Sequence, residues 1–315
     1  TTGNLNAAFG YNALSADTKG DRSVAIGPGT LLSQNFTTNT DAYNTAVGYF
    51  AGDGISTGIR NTLVGGLAGD GLTDADDNVA VGTFALQADT LGSRTTALGR
   101  GALGTQNFTT ATQSYNTAVG YFAGQGTTTA IQNTLIGGEA GDALTTGSQN
   151  VAVGAFALTS ETTSSNNVAI GREALKTQNG AANNVAIGRT AGALVTTGSQ
   201  NTIVGSLAAD AMTTGQNNQF IGYAAAGAGV VTGSGNTGIG VAALGTLTSG
   251  NNIVAIGEDA APAMTSGSNN LFLGHDAGRA GSPGGSWTTQ SNVIVLGDEN
   301  ITNAYIQVDW TIYSD

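Results

Sequence analysis

The chain has no cysteine, one histidine, and only nine Lys plus Arg among 315 residues. The missing thiols remove disulfides, and they also remove the commonest soft metal ligand and a strong nucleophile. With His275 as the single imidazole, no Ser/His/Asp grouping rises above chance, so we read no catalytic residue, no metal and no cofactor. His275 reads as surface decoration. Against the few bases stand 21 Asp plus Glu, a formal net charge of −12, which argues against a nucleic-acid partner. No run of 18 apolar residues occurs, so no membrane-inserting helix is expected. Charged residues reach only 10 % and aromatics 6 %, against a usual charged quarter. The surface therefore has to be made mostly of Thr, Ser, Asn, Gln and backbone.

What is abundant is glycine, 50 residues, and its placement is periodic. Taking the glycine of Asn116-Thr117-Ala118-Val119-Gly120-Tyr121-Phe122-Ala123-Gly124 as position 0, equivalents run from Gly10 to Gly297. Twelve of the sixteen steps between them are 17 residues long. Such a period is the mark of a solenoid. Position −1 is apolar in all seventeen copies, position −3 is mostly Val or Thr, and −2 is usually Ala. That alternation over three to five residues is a strand, and the glycine density excludes a helix. Asn fills position −4 in thirteen copies, where it suits a corner and, in stacked coils about 4.8 Å apart, an amide ladder. Ala at +3 in fifteen copies implies close approach of another backbone. We therefore expect an all-β, parallel β-solenoid, a narrow roll with two short strands and glycine corners per 17-residue coil. Seventeen coils give a rod of roughly 80 Å. Such coils hold few large side chains, so association of several chains through Ala-rich faces is expected to supply apolar burial.

Runs such as Asn167-Val168-Ala169-Ile170-Gly171 and Asn184-Val185-Ala186-Ile187-Gly188 resemble the repeats of trimeric autotransporter adhesin heads, and the same pattern occurs in phage tail-fibre proteins. The coil here is longer than is usual in adhesin heads. The resemblance covers nearly the whole chain and implies a left-handed β-roll and a homotrimeric fibre, extracellular, on a virion or a bacterial surface.

Along the chain, residues 31–43 carry four residues beyond the standard coil, and the insertion returns at 103–115; over 31–54 against 103–126, 18 of 24 positions agree. This is a super-repeat of 72 residues. Residues 1–281 read as about 16 coils and 282–315 as a transition segment with a last coil and a terminal strand. The N-terminus enters mid-pattern, and we read the chain as an excised or processed piece of something longer. Its ending resembles the junction before the intramolecular chaperone domain of phage tail fibres and endosialidase tailspikes; Ser314-Asp315 match the pair at which that domain releases itself.

The inserted loops are the best candidates for partner binding. Phe36 with Tyr43, and Phe108 with Tyr115, stand among Asn, Gln and Thr, a combination that stacks on and hydrogen-bonds to sugar rings. The alternative is that the loops fold over a coil edge or clasp a neighbouring chain. Asp74-Ala75-Asp76-Asp77-Asn78, the densest acidic cluster, offers oxygen ligands for Ca²⁺ but lacks the glycine spacing of a calcium loop, and reads as a solvated turn. The reading is a non-enzymatic segment of a phage tail fibre that presents or spaces contacts to a host-cell glycan or protein receptor. A bacterial adhesin head, and a glycan-degrading tailspike with catalytic residues between chains, are the alternatives.

Overall fold

The computed structural model describes residues 3–282 and 284–303. Seventeen strands of three or four residues, from Ala7–Phe9 to Ile294–Leu296, form one parallel sheet in coil order, and no helix occurs among the described residues. Each coil places one strand beside the next with no shift: Ala118 faces Leu135 and Ala152 faces Ala169. The longer steps keep this register, Phe220 facing Gly238 and Phe272 facing Val295. Extra residues are thus accommodated in corners, never in the sheet. The strand Ile294–Leu296 belongs to the same sheet, so the roll continues into the expected transition segment. Ser314, Asp315 and the expected terminal strand lie outside the described residues.

The corner glycine is required twice over. At Gly48 and Gly154 φ is 138° and 134°, a region closed to side-chain-bearing residues. A Cβ there would also stand 2.5 and 2.6 Å from the carbonyl oxygens of Gly65 and Gly171 in the next coil.

Among the described residues most coils lack the expected second strand. After the glycine, left-handed residues at +2 and +4, for example Phe122 (52°) and Leu103 (49°), break the extended geometry and leave a run of turns. These turns still stack: Phe122 N donates to Arg100 O at 3.0 Å and Leu103 N to Ala123 O at 3.0 Å. Two-residue strands appear only beside the inserted loops, where Gly20–Asp21 pairs with Thr40–Asp41 and Gly92–Ser93 with Thr112–Gln113.

The alternation within the strand is legible, but its inner face is the small one. Position −2 points into the roll, and Ala46, Ala118, Ala152 and Phe220 are fully buried. The alanines at +3, including Ala123 and Ala157, are buried in the same core. The expectation that Ala-rich faces lie between chains therefore fails, because the close approach is made by the coil to itself. Core volume is exchanged between neighbours: a Cβ on Gly52 would stand 2.6 Å from Leu63 Cδ1, so glycine at +4 makes room for leucine at −2 of the next coil. The larger residues at −1 point outward. Ile26, Val64, Ile136, Ile170, Ile187 and Ile256 are 36–43 % exposed, making a continuous apolar stripe along the rod.

Position −4 is a ladder, though chiefly from side chain to backbone. Asn61 N donates to Asn44 Oδ1 at 2.9 Å, while Asn61 Nδ2 donates to Ala75 O at 2.8 Å, closing its own coil. Asn150 does the same through Asn133 Oδ1 (2.9 Å) and Ser164 O (3.0 Å), and its own Oδ1 accepts from Asn167 N at 3.0 Å. Direct amide–amide contacts occur at Asn61–Asn44 (3.3 Å) and Asn201–Asn184 (3.1 Å). Asn150→Ala leaves the buried Asn167 N–H and the half-buried Ser164 carbonyl without partners. We expect a loss of about 1–4 kcal/mol, roughly 1–3 for the buried group and less for the half-buried one, read as a lower urea midpoint with faster amide exchange in the coils on either side.

Candidate functional site

Each inserted loop is built on a carboxylate of the preceding coil, half-buried at Asp17 and buried at Asp89. In an ordinary coil the N–H groups after position +7 bond to a carbonyl of the next coil, as Thr145, Thr146 and Gly147 do to Thr162 O at 2.8, 3.2 and 3.3 Å. Position +7 itself is aliphatic in several coils, as in Leu72 and Leu144. In the coil before each insertion it is an acid instead, and the acid takes part of that donor set, while Leu91 N still reaches Phe108 O of the next coil at 3.1 Å. Asp89 Oδ1 accepts from Gly92 N and Phe108 N, each at 3.0 Å, and Oδ2 from Gln106 Nε2 at 2.6 Å. Gln106 Oε1 in turn accepts from Asn116 Nδ2 at 2.8 Å. Asp17, Gln34 and Asn44 repeat the network one super-repeat earlier. Burial pushes the Asp89 carboxyl above its usual range, against the hydrogen bonds that lower it.

A third copy lies a further 72 residues on, where no insertion exists. Glu161 Oε1 accepts from Thr162, Thr163, Ser164 and Gly180 N at 2.8–3.3 Å, and Oε2 from Gln178 Nε2 at 3.2 Å. None of these acids stands out as a single residue. Their signal was the 72-residue spacing of Asp17, Asp89 and Glu161, each followed by Gln at the same place in the next coil.

The four aromatic candidates divide into two kinds. Phe36 and Phe108 are 6 % and 5 % exposed; their rings lie against Gly20 and Gly92, where a Cβ would stand 2.9 and 2.7 Å from ring carbon. They pack over the loop carboxylates and have no face to offer a sugar, which corrects the expectation that all four rings bind. Tyr43 and Tyr115 are about half exposed, at 49 % and 48 %. Arg22 lies over the Tyr43 ring at 5.4 Å and donates to its hydroxyl at 2.7 Å. Arg94 lies over Tyr115 at 5.6 Å and donates to its hydroxyl at 2.6 Å. Gln113 Oε1 accepts from both Arg94 and Tyr115. Tyr49-Phe50 and Tyr121-Phe122 pair ring to ring at 4.6 and 4.2 Å, as surface packing would have them.

Both tyrosines stand at position −5, a left-handed corner in every coil between them: Arg22, Tyr43, Arg60, Asp77, Arg94 and Tyr115 have φ of 50–62°. Asn and Gly adopt this conformation most cheaply, yet the column here carries long charged and aromatic groups. It includes the acidic turn. Arg60 pairs with Asp77 at 2.5 Å and approaches Asp76 at 3.8 Å, and Arg94 reaches Asp77 at 4.0 Å. The hydrogen bond from Arg60 holds the Asp77 carboxyl below its usual range. The acids are thus answered by two arginines. Between this turn and the second loop lies a polar cleft of about 240 Å³, lined by Arg60, Asp74, Asp76, Ser93, Arg94 and Gln113 among others.

His275, Asp276 and Asp298 bring ligand atoms within 4.8 Å of one another. Arg279 holds both oxygens of Asp276 at 2.8 and 2.9 Å, and Asn300 engages both of Asp298. The two carboxylates are thus taken up by an ion pair and an Asx turn.

Two acids at +5 of successive coils, Asp53 and Asp70, face each other's charge. Asp70 Oδ1 is buried with no hydrogen-bond partner, and burial together with the charge of Asp53 raises the carboxyl from 3.8 to about 6. The folded chain therefore keeps this proton to higher pH than the unfolded chain does. Stability falls as pH rises from about 3.8 to about 6 and then levels. Asp70→Asn should raise the thermal midpoint at pH 7.5 and leave it unchanged near pH 4, where wild type is also protonated. An equal shift at both pH values would assign the effect to packing.

Comparison with protein-family models and with curated proteins finds no match to this chain.

Proposed function

We propose that the chain is a non-enzymatic segment of a homotrimeric fibre, of the kind that forms the shaft or head of a phage tail fibre, and that it spaces or presents contacts to a host-cell surface. The observation that carries this reading is the outward apolar stripe of position −1, 36–43 % exposed at Ile26, Val64, Ile136, Ile170, Ile187 and Ile256. A soluble chain rarely leaves so long an apolar strip uncovered. Copies of a straight rod cover it best by turning the same face to a common axis, which closes the assembly without leaving an edge. The left-handed coil implied by the resemblance to adhesin heads belongs to this proposal, as does the placement outside the cell on a virion.

The test is mass in solution. Light scattering on the purified chain is expected to give three times 31.1 kDa, unchanged on dilution. A folded single chain of 31.1 kDa would overturn the reading.

A further inference from the structure

The polar column between the two exposed tyrosines forms one strip along the rod, and we infer that it binds a linear, uncharged polysaccharide lying parallel to the roll axis. This rests on the proposed fibre reading and names the chemistry of the surface that the fibre holds.

Geometry comes first. Tyr43 and Tyr115 stand four coils apart, through Arg60, Asp77 and Arg94, which is roughly 19 Å at the strand spacing. The spacing of one coil is close to the length of one sugar unit in an extended chain. A polymer laid along the column therefore meets a new side chain at each unit. At each end it meets a half-exposed ring with an apolar face, and arginine backs both rings.

The chemistry of the middle is that of hydroxyl recognition. The cleft of about 240 Å³ presents carboxylates at Asp74 and Asp76, guanidinium at Arg60 and Arg94, and the amide of Gln113. A sugar hydroxyl donates to the first kind of group and accepts from the others, and charge-assisted bonds of this type are the stronger ones.

Charge decides against an acidic polymer. Every arginine of the strip already has an acid beside it: Arg22 with Asp41 at 3.1 Å, Arg60 with Asp77 at 2.5 Å, and Arg94 with Asp77 at 4.0 Å. Asp74 and Asp76 add further negative charge, on a chain of formal net charge −12. An anionic chain would be repelled, whereas a neutral one exchanges hydrogen bonds with water and adds no charge.

Beyond Tyr115 the column changes character. Gln132, Gln149, Asn166, Asn183, Gln200 and Asn217 occupy the next six corners, and neither aromatic nor charged groups stand among them. The strip therefore ends at Tyr115, and the length of chain it recognises is finite.

The experiment uses the assembled wild-type chain and size-graded linear oligosaccharides, from one to eight units. Neutral glucans, galactans, mannans and chitin fragments are the probes, and oligogalacturonate is the acidic control. Affinity should rise with length and level off near five units, with the acidic series bound at least tenfold more weakly. The double variant Tyr43→Ala/Tyr115→Ala, and separately the isosteric Asp76→Asn, should each weaken binding at least tenfold at unchanged assembly mass. Absence of binding across the neutral series, affinity independent of length, or tighter binding of the acidic series would overturn the strip. So would a change of assembly mass in both variants, which would make the column a clasp between chains. The mass of the wild-type assembly, measured in the same samples, tests the fibre reading independently of any sugar.

Discussion

Ile136→Glu combined with Ile170→Glu should convert the assembled rod into separate chains. Both side chains are at position −1, 39 % and 37 % exposed in the single chain, and in the proposed trimer both are enclosed. An uncompensated charge buried at an interface costs roughly 3–5 kcal/mol, and symmetry repeats each substitution three times. The matched control is Gly138→Glu, two residues after Ile136, where a new Cβ meets nothing within 4 Å. Light scattering should report the monomer mass or open-ended aggregates for the double variant, and the unchanged assembly for the control. A double variant that still assembles normally would remove the apolar stripe as the interface.

The second large effect runs against the repeat itself. Aliphatic residues recur at position +7, as in Leu144 one coil earlier, so Glu161→Leu is the change that regularising the sequence would suggest. It should destabilise the roll by about 3–5 kcal/mol, because removing one member of a buried charged network strands the others. The N–H groups of Thr162, Thr163, Ser164 and Gly180 all point at that carboxylate, and Gln178 Nε2 joins them at 3.2 Å. A neutral but isosteric Glu161→Gln keeps one acceptor oxygen and should lose less. Urea midpoints in the order wild type, Gln, Leu are expected; a Leu variant as stable as wild type would show that the next coil's carbonyl can take the donors back.

These two sites mark where sequence reading stops. The period, the strand at −3 to −1 and the corner glycine were all legible, since each is a local demand repeated in every coil. Which face of the strand looks inward was not legible from hydrophobicity, because both faces are apolar. Position −2 turns inward whether it is Ala118 or the larger Leu63, Ile203 and Phe220, and the Val and Ile at −1 are left outside. The second strand was lost to left-handed backbone at Phe122 and Leu103, residues that nothing in composition marks for that conformation. In the candidate site, the sequence identified both loops and both tyrosines. It could not separate Phe108 from Tyr115, because the burial of Phe108 depends on Asp89 and Gly92 in the preceding coil. The cleft was invisible for the same reason. Its walls come from four successive coils, and only stacking in register brings Arg60, Asp76, Ser93 and Gln113 together.

The direction of the inter-coil hydrogen bonds has a mechanical consequence. They run along the rod, from each coil to the next, as in Gly137 N to Val119 O at 2.8 Å and Gly154 N to Ile136 O at 2.7 Å. Tension applied to the two ends of one chain therefore loads one junction at a time, starting from an end. Each coil that peels away gives up about 4.8 Å of rod. In exchange it releases 17 residues of open chain, roughly 56–61 Å at full extension. A rod built this way yields to a hard pull by lengthening, so whatever is held at one end feels a force limited by the weakest junction and not by the full load.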